Sequence, residues 1–236
     1  EQLEERLAEL LADVARPDGT PARIARIDAD STRGKGRLEA SLAEVHAGAV
    51  DVLVGTQMIA KGHDFRRVTL VAAVNPDAAL FSSDFRAPER LFALLMQAAG
   101  RAGRDAAQGA GSEMWVQTHH PQHPLFVALK AHDYPGFAAQ QLAERAQAGL
   151  PPFAHLALLR AEARSQEAAQ GFLAALARQA QDALAADPAL AAALAQVTWY
   201  PAVPLAVQRV ANIERAQMLL ESPSRAALQR VLAAFV

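Results

Sequence analysis

Leu3, Leu7, Leu10, Leu11 and Val14 recur at helical spacing, which predicts an amphipathic helix over residues 1–15. Pro17-Asp18-Gly19 breaks it. Arg23 to Ile27 alternates in character and reads as a strand. Asp28 to Gly36 is a loop rich in Asp, Ser, Thr and Gly, after which Leu38, Leu42 and Val45 mark a helix face. Val52 to Val54 is a short β-branched apolar run, the mark of a buried strand, and it stops at Gly55. Val68 to Val74 is as apolar. Pro88 and Glu89 suit the first turn of a helix, and a further strand lies near Met114 to Gln117. The order α-β-α-β-β-α-β predicts an α/β unit with a mainly parallel sheet.

The second half has a different rhythm. A helix is predicted from Pro135 to Ala148, and Gly149-Leu150-Pro151-Pro152 then punctuates the chain. This gives two domains, 1–148 and 149–236. Beyond the punctuation come a strand from His155 to Glu162 and a helix from Gln166 to Ala186 carrying Phe172, Leu173, Leu176 and Leu184. Asp187-Pro188 interrupts it. Strands are predicted near Val197 to Tyr200 and Arg215 to Glu221. Ser222 and Pro223 start a last helix, with Leu228, Val231, Leu232 and Phe235 on one face. The pattern β-α-β-β-α is that of an α+β domain of split βαβ type lacking one strand, so this domain is expected to be truncated.

Composition narrows the function classes. The 236 residues suit two modest domains, and a hydrophobic share of 52% is enough to build real cores. No apolar run reaches the roughly 18 residues needed to cross a bilayer, and no signal peptide is visible. The absence of cysteine removes disulfides and fits a cytoplasmic protein. A net charge of −2 excludes a generally basic nucleic-acid binder, so any DNA contact must be local.

Residues 97–104, Gln-Ala-Ala-Gly-Arg-Ala-Gly-Arg, place Arg101 and Arg104 beside two glycines just after an apolar helix. Arginines so spaced suit the oxygens of a transferring γ-phosphate. A helix end that caps itself and solvates its arginines would carry the same residues. The segment DVLVGTQMIAKGHD (51–64) delivers Thr56, Gln57, Lys61 and Gly62 from the end of a buried parallel strand, the ligand edge of an α/β sheet. Polar residues there can meet phosphate. An ordinary surface loop is the alternative.

GTQMIAKGHDF (55–65) and QAAGRAGR resemble motifs V and VI of superfamily 2 helicases. Together with RIDADSTRGKG (26–36), DFRAPER (84–90) and QTHHPQHP (117–124), in that order, they resemble the PriA-like, replication-restart branch of those helicases. The resemblance is specific over most of residues 1–150. It is looser beyond, where LPPF (150–153) and SPSRAALQ (222–229) carry it. No Gly-x-x-x-x-Gly-Lys-Ser/Thr phosphate loop, no Asp-Glu-x-His motif and no cysteine-rich zinc segment occurs in the chain, although such helicases carry all three. The chain is therefore expected to be a fragment, holding the second RecA-like lobe and a C-terminal domain.

The resemblance implies roles. Arg104 would be the arginine finger, reaching ATP and Mg2+ bound mainly in another lobe, and Arg101 would be its partner or would hold the motif to the lobe. Gln97 would contact the phosphates or nearby water. Gly62, Asp64 and Gly100 would border the nucleotide. Thr56, Gln57 and Lys61, joined by Arg33 and Lys35, would hold the DNA backbone without sequence preference. The partners implied are forked or single-stranded DNA, single-stranded-DNA-binding protein and other primosome proteins, with no membrane. Arg225 and Gln229, four apart on one helix face, would receive the acidic tail of the single-stranded-DNA-binding protein; a plain solvated face is the alternative. Zinc belongs to the longer family members and not to this chain. The activity implied is ATP-driven 3′-to-5′ unwinding, with the fragment alone inactive. A non-catalytic docking module for forked DNA, or another superfamily 2 enzyme, is the competing reading.

Three features remain open between structure and function. In DFRAPER, Asp84 and Glu89 pair with Arg86 or Arg90, or the arginines line the DNA path. His119, His120 and His123 lack the helical spacing of a zinc site, and Pro121 and Pro124 oppose a helix there, so loop histidines are expected. His63 reads as a packing or phosphate-loop residue.

Overall fold

The computed structural model describes residues 2–28, 36–55, 68–100 and 112–234, without the side chain of Arg37. The chain divides into two compact units, Glu1–Phe137 and Ala138–Val236.

The first unit opens with α1 (Gln2–Leu10), shorter than the apolar spacing predicts. Leu10 and Val14 remain exposed, so the outer part of the stripe has nothing to pack on. Glu4 instead reaches Arg26 at 3.1 Å. Strands β1 (Ile24–Ile27) and β2 (Val52–Gly55) flank α2 (Arg37–His46) and pair in parallel, with Ile27 opposite Gly55. Ile27 and Leu42 form their small core. Asp51 fastens the approach to β2. It accepts hydrogen bonds from the Arg23 amide and Arg16 Nε, each at 2.7 Å, and these, the amide first, hold its carboxyl below the usual carboxylate range.

The second parallel pair is β3 (Leu70–Val74) with β4 (Glu113–Gln117). Between them run a single turn, α3 (Asp77–Leu80), and the longer α4 (Ala87–Ala99). Ala87, Leu91, Phe92 and Leu95 are buried along one stripe of α4. Phe92 stacks on Phe137 with centroids 4.6 Å apart and 12° between planes. Leu125, Phe126 and Leu129 of α5 (Pro124–Ala131) complete this core. Only one face of β3 and β4 joins it: Leu70, Val74 and Trp115 are exposed. Where a strand covered on both faces was expected, these two alternate.

α6 (Tyr134–Ala148) crosses the division between the units. The second unit is an antiparallel sheet with helices on one face. β8 (Ile213–Ser222) is central. It pairs β5 (His155–Ala163) along one side, and β6 (Thr198–Trp199) and β7 (Val203–Val210) along the other. Ala216, Met218, Leu220 and Ser222 of β8 point into the core, at the period of two that a half-covered strand requires. They meet Ala169, Leu173, Ala177, Ala180 and Leu184, the buried stripe of α7 (Gln166–Ala186). The three alanines on that stripe let the helix lie close to the sheet.

Three local expectations change, the first being the added strand β7. Asp187-Pro188 does not merely end α7: the Asp187 carboxylate accepts the Ala189 amide at 2.8 Å and caps a new helix, α8 (Pro188–Leu194). The last helix, α9 (Arg225–Ala233), is capped by Ser224, whose hydroxyl accepts the Ala227 amide at 3.2 Å. Ser222 stays at the end of β8, fully buried opposite His155, and its hydroxyl accepts the Ser224 amide.

Candidate nucleotide and nucleic-acid interface

In a parallel sheet the ligand edge is the one reached by the C-terminal ends of the strands. Registering Ile27 against Gly55 brings the ends of β1 and β2 together there. The chain leaves this edge at Asp28 and at Gly55, toward the two segments that hold most of the sequence-predicted site. Arg33, Lys35, Thr56, Gln57, Lys61, Gly62, His63 and Asp64 lie outside the described residues, as do Arg101 and Arg104.

Gln97 and Gly100 are described. Gln97 is exposed in the last turn of α4, and Gly100 caps that helix with its amide on the Met96 carbonyl at 3.0 Å. Gly100 is right-handed, with φ −67°. No backbone strain therefore demands glycine at this position.

DFRAPER sits at the other end of α4, about 20 Å away for thirteen residues at 1.5 Å each. Asp84 accepts the Arg86 amide at 2.9 Å and pairs with Arg90 at 2.6 Å. Arg90 is thus engaged, while the Arg86 guanidinium lies over the Phe85 ring, 5.2 Å from its centroid. The structure thereby separates Gln97 and Gly100 from Arg86 and Arg90.

At the C-terminal ends of β3 and β4, the residue that organises the edge carries no local sequence signal. Asp77, buried in α3, accepts the Thr118 hydroxyl and the His119 amide, the latter at 2.9 Å. These bonds, the hydroxyl first, hold its carboxyl below the usual range. The partners lie some forty residues apart in sequence, and an Asp after a Pro is read locally as a turn residue. The histidines beside it serve the loop. His123 caps α5 by accepting the Leu125 amide on Nδ1, and His120 meets the Phe81 ring edge-to-face at 4.7 Å. Among the described residues no group of His, Asp or Glu could hold a metal ion.

In the second unit, Arg225 and Gln229 are both exposed, one turn apart on α9, with Ala227, Leu228 and Val231 on its buried side. A groove of about 630 Å³ lies elsewhere in this unit, between α7 and the segment Trp199 to Ala202, and is lined by neither residue.

A parallel α/β unit with polar segments leaving its C-terminal edge matches a known class. Residues 2–106 fit the family model described as the helicase conserved C-terminal domain, which implies a RecA-like lobe. Residues 146–236 fit the model described as the primosomal protein N C-terminal domain. Over 98% of its length the chain is 43% identical to the replication restart protein PriA of Haemophilus influenzae, covering 29% of that relative. It is 38% identical to PriA of Treponema pallidum over 91% of the chain and 31% of the relative. With PriA of Synechocystis it shares 38% identity over 86% of the chain and 23% of the relative. The chain belongs to the PriA family of replication restart proteins and spans less than a third of the length of these curated relatives. No helix among the described residues is long and apolar enough to cross a membrane.

Proposed function

We propose that this chain is the second motor lobe and C-terminal domain of an ATP-dependent 3′-to-5′ DNA helicase that restarts stalled replication forks in the cytoplasm. The observation that carries the reading is the succession, within one chain, of the helicase C-terminal match over 2–106 and the primosomal match over 146–236. We place the boundary between the two parts at 148/149, where α6 ends and the Gly149-Leu150-Pro151-Pro152 segment begins.

Arg104 is the proposed arginine finger. A planar, permanently charged guanidinium suits the equatorial oxygens of a γ-phosphoryl group, and such a finger is worth about 10³–10⁵ in turnover. Arg101 is its partner, and Gln97 contacts the phosphates or the attacking water. Gly62, Asp64 and Gly100 border the nucleotide. The exposure of Gln97 and Gly100 at the end of α4 leaves room for such a ligand. ATP and Mg2+ would be held mainly by another lobe, where the nucleotide would supply the transferring phosphoryl group and the metal would neutralise its charge. This chain has no cysteine, so zinc thiolate sites fall to other parts of the longer protein.

Thr56, Gln57, Lys61, Arg33 and Lys35 form the proposed backbone track for single-stranded DNA. The departure of both segments from one sheet edge, after Ile27 and Gly55, favours one continuous track. Arg225 and Gln229 receive the acidic tail of single-stranded-DNA-binding protein, and primosome proteins are the further partners. β5 and β6 each pair antiparallel with β8, which lies between them, and this supports a split βαβ arrangement of the C-terminal domain.

The test uses the chain joined to the remainder of the longer protein. DNA-stimulated ATP hydrolysis that collapses in Arg104→Ala, with nucleotide binding retained, supports the finger. Unchanged turnover makes the Gly-Arg segment structural and returns the docking-module reading to the lead.

A further inference from the structure

We infer that Phe81, with His120 and Arg86, is a stacking platform for the unpaired bases of single-stranded DNA at the C-terminal edge of β3 and β4. The inference rests on the reading that this lobe contacts DNA, and adds base contacts to a track proposed from backbone contacts alone. Phe81 is 58% exposed, although the core formed by Leu80, Leu91 and Phe92 lies immediately beside it in sequence and fold. Single exposed apolar side chains are ordinary; this ring is distinguished by the two imidazoles set against it.

The surroundings identify the chemistry. His120 lies 4.7 Å from the Phe81 ring and His123 lies 6.1 Å from it, both edge-to-face. Arg86, on the connection that follows Phe81, has no carboxylate partner among the described residues and lies over the Phe85 ring, 5.2 Å from its centroid. An aromatic ring and an imidazole in contact, with a guanidinium on the connection that follows, offer flat surfaces and hydrogen-bond donors. Every nucleobase offers a matching π-face, whatever its identity, and the adjoining phosphate offers a partner for Arg86. An apolar peptide would leave the guanidinium unused.

The platform is also held rigid before any ligand arrives. The Phe81 amide donates to the Asp77 carbonyl at 2.9 Å, and the Asp77 carboxylate is fixed to Thr118 and His119. The His120 amide donates to the Thr118 hydroxyl at 3.0 Å, and the His123 amide to the His120 carbonyl at 2.9 Å. One buried carboxylate thus sets the two loops that carry the rings.

The experiment measures binding of the full 236-residue chain to fluorescein-labelled oligothymidylate and to a blunt duplex of equal length, by anisotropy. Wild type is compared with Phe81→Ala and Phe81→Trp. Loss of one base stack weakens single-strand binding about fivefold or more in Phe81→Ala. Duplex binding should not change, because stacked bases offer no face. Phe81→Trp should keep wild-type affinity, and its additional indole emission, over that of Trp115 and Trp199, should be quenched by the oligonucleotide. If wild type binds the single strand and Phe81→Ala binds it equally well, the platform is overturned and the DNA reading stands. An equal loss on duplex also overturns it, because the contact is then not to unpaired bases. If wild type binds neither DNA, both readings fall together. Phe81 is exposed, so its truncation leaves no core cavity, and the tryptophan signal decides the matter independently.

Discussion

Asp77 accepts the hydroxyl of Thr118 across the ends of two parallel strands, joining the connection after β3 to the connection after β4. The same carboxylate takes the His119 amide at 2.9 Å, so a single buried side chain satisfies one donor on each of two successive residues. Everything at this edge depends on the charged form. Both bonds run to an acceptor, and protonation of the carboxylate turns one acceptor oxygen into a donor with no evident partner.

That dependence gives a pH prediction. The folded-state pKa of Asp77 is below its ordinary value, so the stability it contributes is fully present above the unfolded carboxylate value of about 4. It is lost as pH falls through the folded value. Asp77→Asn should therefore lower the urea midpoint at pH 7, and the difference from wild type should shrink as pH is taken from about 5 toward 3. A difference that stays constant over that range would show that the carboxylate charge is not what holds the edge. Asp51, lowered by the Arg23 amide and then by Arg16, should behave in the same direction.

Phe92 gives the largest stability effect. It is 1% exposed, and it stacks on Phe137 while meeting Tyr134 at 5.6 Å. Phe92→Ala removes a ring from the centre of the α4 core and should cost about 3–5 kcal/mol by denaturant titration. A cost below about 1 kcal/mol would mean that the core collapses around the vacancy, which the surrounding Leu91, Leu95 and Leu125 do not favour.

The hairpin between β7 and β8 runs against its own residue choice. Val210 pairs with Ile213, leaving Ala211 and Asn212 as the two turn residues, with φ of 49° and 66°. Both positive angles belong to the turn whose twist suits a hairpin, but alanine has no side-chain bond to repay the left-handed conformation. Replacing the pair by Asn-Gly, as Ala211→Asn with Asn212→Gly, should stabilise the protein by about 1 kcal/mol. Thermal denaturation at fixed protein concentration reads this directly; an unchanged or lowered midpoint would count against the turn assignment.

The same hairpin shows where sequence reading runs out. α7 was legible to its ends because its buried residues follow a helical stripe and Ser165 caps it. β7 was not, since Pro204 lies within it and proline in an apolar run argues against a strand. The strand survives because it pairs on one side only, with a register shift between Pro204 and Arg209. At the candidate site, motif wording singled out the segments around Arg33, Lys61 and Arg104, and the parallel register of β1 and β2 explains why the first two leave one edge. Asp77 was invisible because its partners, Thr118 and His119, are distant in sequence and the bond is a tertiary one. Arg90 had two readings in sequence, and its 2.6 Å pairing with Asp84 is the ion pair that one of them names.

Gly100 separates structural from functional demand for glycine. Its φ is −67°, and among the described residues an added Cβ would meet the Met96 carbonyl oxygen at 3.4 Å and that of Gln97 at 3.7 Å, ordinary contact distances. Alanine also has the better helix propensity and loses less chain entropy on folding. Gly100→Ala should therefore leave stability within about 0.5 kcal/mol of wild type, or raise it. If glycine is present so that a nucleotide can approach the backbone, the same substitution in the joined, longer protein should raise the KM for ATP. Denaturation and steady-state ATP hydrolysis, measured on one variant, give the two answers separately. A loss of stability would assign Gly100 to the fold. Unchanged stability with unchanged KM would remove it from the proposed nucleotide border, and leave Gln97 as the described residue of that border.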